Sequence, residues 1–109
     1  MNKVLAVYRY EVRPGRMADF AAKLREAAAP KFNSPVMPLG ARLLLSTVPG
    51  PDTGGVTLVL EYADMAAFGA RNAWESANSE WRRLFAAAPD SPERLISVEL
   101  LTEIPFSGE

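Results

Sequence analysis

The residues best suited to chemistry crowd into one stretch, residues 72–83. Asn72 carries an amide that can stabilise a developing oxyanion, and Trp74 an indole that can pack against an aromatic ring. They are candidate catalytic residues. Standing two apart, they point to different faces of a regular helix, so Trp74 reads equally as core or interface packing. Trp81 with Arg82-Arg83 forms a second group. Its guanidinium groups either grip a carboxylate or form a solvated face favoured by the helix dipole. A third set is spread along the chain: Arg9, Glu11, Arg42, Glu61 and Glu99. These groups either form ion pairs between strands or subunits, or line a polar pocket in which a glutamate of raised pKa serves as base. On the second reading Arg9, Arg42, Glu61 and Glu99 bind substrate.

Composition narrows the chemistry further. The 109 residues contain no cysteine and no histidine. Disulfides, thiolate catalysis and thiolate metal sites are therefore out, as are Ser-His-Asp hydrolysis and histidine-ligated metals or haem. No cofactor is expected. With 12 basic against 13 acidic residues, no single-sign field points to nucleic acid or an anionic membrane. No segment reads as a signal peptide or membrane span, so a cytoplasmic protein is expected. Gly54-Gly55 lies in a turn with no helix start after it, which is not a phosphate-binding loop.

The elements that must position these groups are legible. The length suits one domain over residues 1–109, burying roughly 65% of its unfolded surface. Residues 3–12 alternate apolar and polar with period two, the mark of a strand. Pro14-Gly15 ends it. Met17, Phe20, Ala21, Leu24 and Ala28 then recur at helical spacing up to Pro30. Residues 29–40, with three prolines among them, form a long loop that either crosses the surface or covers a site. Residues 41–48 and 56–62, joined by a turn at 49–55, make an antiparallel hairpin. Asp64 caps the next helix. That helix is expected in two pieces, broken near 75–79 with Asn78 or Ser79 capping the second, which runs to Ala88. A last strand spans residues 95–103.

Strand-helix-strand-strand-helix-strand, with right-handed crossovers, puts both helices on one face of one sheet, a ferredoxin-like α+β sandwich. The helix-facing set is Val4, Ala6, Tyr8, Leu43, Leu45, Leu58, Leu60, Ile96, Val98 and Leu100. Tyr10 and Tyr62 share its phase. The opposite face is mixed, with Leu5, Val7, Leu44, Val48, Val59 and Leu101 among Arg9, Glu11, Arg42, Ser46, Thr57, Glu61, Ser97 and Glu99. Solvated faces do not carry so many Leu and Val residues, and burying about six of them is worth roughly 10 kcal/mol at most. A second copy of the chain is the expected cover, as a homodimer.

Three segments carry a family resemblance: YEVRPGRMADF (residues 10–20), LVLEYADMAAFGARN (58–72) and SEWRRLF (79–85). Together they resemble the dimeric α/β-barrel superfamily, most of all its NIPSNAP-like branch, with the antibiotic-biosynthesis monooxygenases as cousins. The resemblance implies a homodimer whose two four-stranded sheets face each other as a barrel, each protomer with its own cavity between sheet and helices. It implies a small apolar or aromatic ligand and cofactor-independent oxygenation or isomerisation, with Asn72, Trp74, Arg9 and Arg42 near it. The alternative is a non-catalytic binding or interaction module, because fold alone does not choose an activity.

Overall fold

The computed structural model describes residues 3–47 and 55–104. Its strands are β1 (Val4–Val12), β2 (Gly40–Leu45), β3 (Gly55–Tyr62) and β4 (Glu93–Thr102). Its helices are α1 (Met17–Ala27), α2 (Met65–Ala77) and α3 (Ser79–Leu84), with a single 3-10 turn at Pro30–Phe32. The sheet runs β2-β3-β1-β4 and every neighbouring pair is antiparallel. This is the ferredoxin-like order expected from the element sequence. The hairpin turn at 49–54, Val48 and the tail beyond Ile104 lie outside the described residues.

Local chemistry accounts for the element boundaries. Gly15 takes φ +75°, a left-handed conformation that only glycine adopts at little cost, and so turns β1 into α1. Asp64 Oδ1 accepts the Ala67 N–H at 2.8 Å, capping α2, and Asn78 Oδ1 accepts the Trp81 N–H at 2.9 Å, capping α3. Asn78 itself is extended, with φ −93° and ψ 113°, and this breaks the two helices apart. The second helix ends earlier than its composition suggests, at Leu84 rather than Ala88.

The register confirms the two sheet faces with one correction. Val4, Ala6, Tyr8 and Tyr10 pair with Tyr62, Leu60, Leu58 and Val56, and all of these look toward the helices. On β4 the pairing shifts between Arg9 and Tyr10, so Tyr10 meets Leu95 while Arg9 meets Ser97. Ile96 is the extra residue of a bulge, and Leu95 and Glu93 take the places next to Tyr10 and Val12. The expected phase of Ile96 fails for that reason. On the opposite face Arg9, Glu99 and Glu61 stay at the surface in ion pairs, Arg9 Nε with Glu99 Oε1 at 3.2 Å and Lys3 Nζ with Glu61 Oε1 at 3.8 Å.

The helices touch the sheet at two apolar clusters. Val4, Ala6 and Tyr62 pack with Ala67 and Phe68 of α2. Tyr10 and Val56 pack with Phe20 and Leu24 of α1, Phe20 being fully buried. Tyr8 belongs to both clusters, and between them sheet and helices separate. Among the described residues no helix is long and apolar enough to cross a membrane.

Candidate functional site

The gap between the clusters is a cavity of about 1020 Å³. Tyr8 and Tyr10 of β1 with Leu58 and Leu60 of β3 form its floor. Ala21 and Leu24 on one stripe of α1, with Ala28 as its C-cap, form part of its roof. Alanine side chains are too short to reach the sheet, and space is left where larger ones would close it. Trp81 and Phe85 close one side, and Met37 and Pro38 from the proline-rich loop another. That loop lines the cavity, as one of its two readings requires.

A charged pair is set into this wall. Arg71 is 3% exposed and is held from every side. Its Nε donates to Glu75 Oε2 at 2.8 Å. Its Nη1 donates to the Phe32 carbonyl at 2.7 Å and to Ser34 Oγ at 3.0 Å. Its guanidinium carbon lies 4.5 Å from the Trp74 ring centroid and 4.9 Å from that of Trp81. Cation–π contacts of this kind are worth about 2 kcal/mol when desolvated. The indoles, three and ten positions along from Arg71, thus serve as its walls.

Glu75 is half-buried and lines the cavity. Burial pushes its carboxyl above the usual carboxylate range, although its hydrogen bond and charge contact with Arg71 pull the other way. Oε2 is committed to Arg71; Oε1 accepts no hydrogen bond from the described residues and is not fully buried. Burial, with the Glu75 charge adding to it, pushes the Tyr8 hydroxyl up to about 12. Tyr10 is raised further by burial, then by Tyr8, Glu93 and Glu75. Tyr62 is raised by burial, Tyr8 and Glu75 against Arg71. These are the chain's 3 tyrosines.

A titration follows from this. At pH 10, where free tyrosine is half ionised, the folded chain is expected to show almost no tyrosinate absorbance in its near-ultraviolet difference spectrum. Raised phenol pKa values mean that the native state holds these protons more tightly than the unfolded chain. The linked stability is therefore full below pH 10 and is lost as pH climbs through the raised values. A tyrosine titrating normally in the folded chain would refute this packing.

No protein-family model matches the chain, and no curated protein matches it in sequence. Solved structures do match. An uncharacterised NIPSNAP-like domain protein from Burkholderia xenovorans superimposes with a TM-score of 0.62 at 21% identity, over 98% of this chain and 88% of that one. A dimeric ferredoxin-like protein from an uncultured marine organism gives 0.67 at 14%, over 97% and 99%. SnoaB, a cofactor-independent oxygenase from Streptomyces nogalater, gives 0.67 at 17%, over the full length of both chains, 100% and 100%. The fold is that of the NIPSNAP-like proteins and the antibiotic-biosynthesis monooxygenases.

Within this NIPSNAP-like fold the residues singled out from sequence lie in three places. Asn72 is exposed on α2 and does not line the cavity. Trp74 is half-buried behind the cavity wall, against Arg71. Arg9, Glu61 and Glu99 share the opposite face of the sheet, and Arg42 borders the cavity from the edge strand β2. Arg82 and Arg83 are exposed. Tyr8, Tyr10, Arg71 and Glu75 meet in the wall between sheet and α2, while Arg13, Arg25, Arg42, Glu93 and Arg94 also line the cavity. Arg71 and Glu75 stand four apart with opposite charge, and that spacing was their signal in the sequence. Among the described residues no cluster of acidic side chains could hold a metal ion.

Proposed function

We propose that the chain binds a small, largely apolar organic molecule between sheet and helices, and acts on it by oxygenation or isomerisation without a cofactor. The cavity carries this reading. Its volume of about 1020 Å³ is at the upper end for small-molecule sites, which are mostly apolar with a few convergent polar groups. Leu, Ala and aromatic walls favour a ring system, and the Tyr8 and Tyr10 hydroxyls with Glu75 would fix its orientation. The likeness to SnoaB, a cofactor-independent oxygenase, supports the reaction class. In this reading Glu75 and Tyr8 stand nearest the ligand. Trp74 acts through Arg71, and Asn72 would need a partner chain or a bound ligand to bring it into play.

Oxygen consumption with a panel of quinols and anthrone-type aromatics tests the reading, with ligand-induced melting shifts as a second measure. Turnover or a melting shift for any member is the expected result. Neither a shift nor turnover across the panel would leave the non-catalytic interaction module standing.

The opposite sheet face is assigned to a second copy of the chain. Leu44 and Leu101 there are 48% and 44% exposed, and Val7 and Val59 face each other at the centre of the sheet. Interstrand ion pairs of Arg9 with Glu99 and Arg94 with Glu11 sit among them, an arrangement suited to a mixed interface. One protein of this fold is described as dimeric. Val59→Lys would place a charge at the centre of that patch. The wild-type chain is expected to sediment as a dimer at micromolar concentration and the variant as a monomer; a wild-type monomer would overturn the assignment.

A further inference from the structure

We propose that Glu75 is a general base, its free Oε1 taking a proton from a carbon acid, a ketone flanked by an aromatic ring, held in the cavity. This rests on the reading that the cavity binds an apolar organic molecule. Three observations carry it. First, one oxygen is tied and the other is not: Oε2 takes the Arg71 Nε–H at 2.8 Å, while Oε1 accepts no hydrogen bond from the described residues and belongs to a side chain that lines the cavity. Second, the tie is rigid. Arg71 is itself fixed by the Phe32 carbonyl, Ser34 Oγ and two indoles, so the carboxylate is aimed before any ligand arrives. Arg71 is a positioning residue in this scheme. Third, Tyr8 and Tyr10 line the cavity floor, and their hydroxyls donate to no group among the described residues, which leaves them able to donate to an oxyanion.

The proposed step is a proton transfer without net oxidation. The C–H bond next to the substrate carbonyl breaks, and its electron pair stays on the substrate as an enolate with the charge on oxygen. The proton goes to Glu75 Oε1, leaving a neutral carboxylic acid. A tyrosine hydroxyl donates to the enolate oxygen without losing its own proton. Returning the proton at a second carbon gives isomerisation. Addition of dioxygen, the oxidant, to the enolate carbon forms a C–O bond and reduces dioxygen to a peroxide, which takes the proton back from Glu75 and leaves as the hydroperoxide.

Raised acidity constants suit both roles. Glu75 is a better base for being raised, and the tyrosines stay protonated as donors. The groups facing the carboxyl are Arg71 from its own helix, Tyr8 and Tyr10 from β1 and Tyr62 from β3. Arg13, Arg25, Arg42 and Arg94 also line the cavity, and so does a second carboxylate, Glu93, which is paired with Lys23. A Glu93→Gln variant that keeps the midpoint of the wild-type chain assigns the carboxyl break to Glu75.

2-Tetralone is the probe, with loss of its benzylic proton signal in deuterium oxide as the readout and tryptophan fluorescence quenching as the measure of binding. The wild-type chain is expected to accelerate exchange over buffer, with a midpoint above the ordinary carboxylate range. Glu75→Gln should bind the ketone and lose about 100-fold or more of the protein-dependent rate. Arg71→Lys should shift the midpoint, which a purely structural residue would not do. Binding without accelerated exchange, or equal exchange by Glu75→Gln, would overturn the base while leaving the cavity reading intact. Absence of binding to the wild-type chain would overturn both. Should Glu75→Gln not fold, a wild-type rate that follows hydroxide alone, with no carboxyl break, overturns the base by itself.

Discussion

Arg71→Leu is expected to lose about 3 kcal/mol of stability at neutral pH, the range found when one member of a buried pair is removed. Arg71 is 3% exposed, and its removal leaves the Phe32 carbonyl and Ser34 Oγ without their donor. It also leaves Glu75 with no counter-charge. Both influences that lower the Glu75 pKa come from Arg71, so without it desolvation acts alone and the carboxyl rises further. The sign of the pH dependence follows. A folded-state pKa above the unfolded value of about 4.3 means that stability is fully present below that pH and falls as pH climbs through the raised value. The loss caused by Arg71→Leu should therefore be larger at pH 7 than at about pH 4, where the unfolded chain too is largely protonated. Urea denaturation at the two pH values measures it. Equal losses would mean that Glu75 is not the group left stranded. Arg71→Lys should fall between, keeping the charge but not the planar fork that reaches Glu75 and the loop together.

Why Arg71 was hidden while its surroundings were legible is a matter of which rule dominates locally. The alternation of Val4, Ala6, Tyr8 and Tyr10 against Leu5, Val7, Arg9 and Glu11 is unopposed, and both sheet faces follow from it. Asp64 and Asn78 cap their helices as their residue types suggest. On α2 the inward stripe runs through Phe68, Arg71 and Glu75, whereas the stripe that helical spacing suggests, Met65, Phe68, Asn72 and Glu75, takes Asn72 and leaves Arg71 outside. The two differ by one residue, and ordinary polarity rules favour the wrong one. Arg71 is buried because Trp74 and Trp81, the Phe32 carbonyl and Glu75 between them replace its water. Three of those four partners stand within ten residues on α2 and α3, and the fourth comes from the loop after α1, which no helical pattern reveals.

Glu93 is hidden in the sequence for a different reason. A strand beginning at Leu95 leaves it in the preceding loop. The bulge at Arg9/Tyr10 lets β4 begin at Glu93, opposite Val12, and swings it beneath α1. A bulge adds one residue that no alternation announces. The same extra residue moves Leu95 to the helix face in place of Ile96. Edge strands β2 and β4 keep Leu45, Leu95 and Val98 between 46% and 55% exposed on that face, because α1 and α2 lie over the central strands. Apolar patterning alone therefore overstates how much of this face is covered.

The Lys23–Glu93 pair supplies the second large effect. Lys23 Nζ lies 2.8 Å from Glu93 Oε2, with side chains 11% and 8% exposed, and it also sits 5.3 Å from the Phe85 ring centroid. The pair fastens α1 to β4 at the end of the cavity. Glu93 Oε1, among the described residues, is a buried oxygen with no partner, so this carboxylate is only half satisfied even in the native chain. Removing Lys23 would leave it with no counter-charge at all. Lys23→Ala is therefore expected to cost about 4 kcal/mol, and to lower the melting temperature by roughly 15–20 °C in a domain of this size. A charge paired at this depth has paid much of its attraction back in lost hydration. The double change Lys23→Met with Glu93→Leu removes both the pair and the orphan oxygen, and should return to within about 1 kcal/mol of the wild-type chain. Thermal melts of the wild type and both variants decide it. A double variant as unstable as Lys23→Ala would show that the loss does not come from the stranded carboxylate, since methionine keeps the packing of the lysine stem on Phe85.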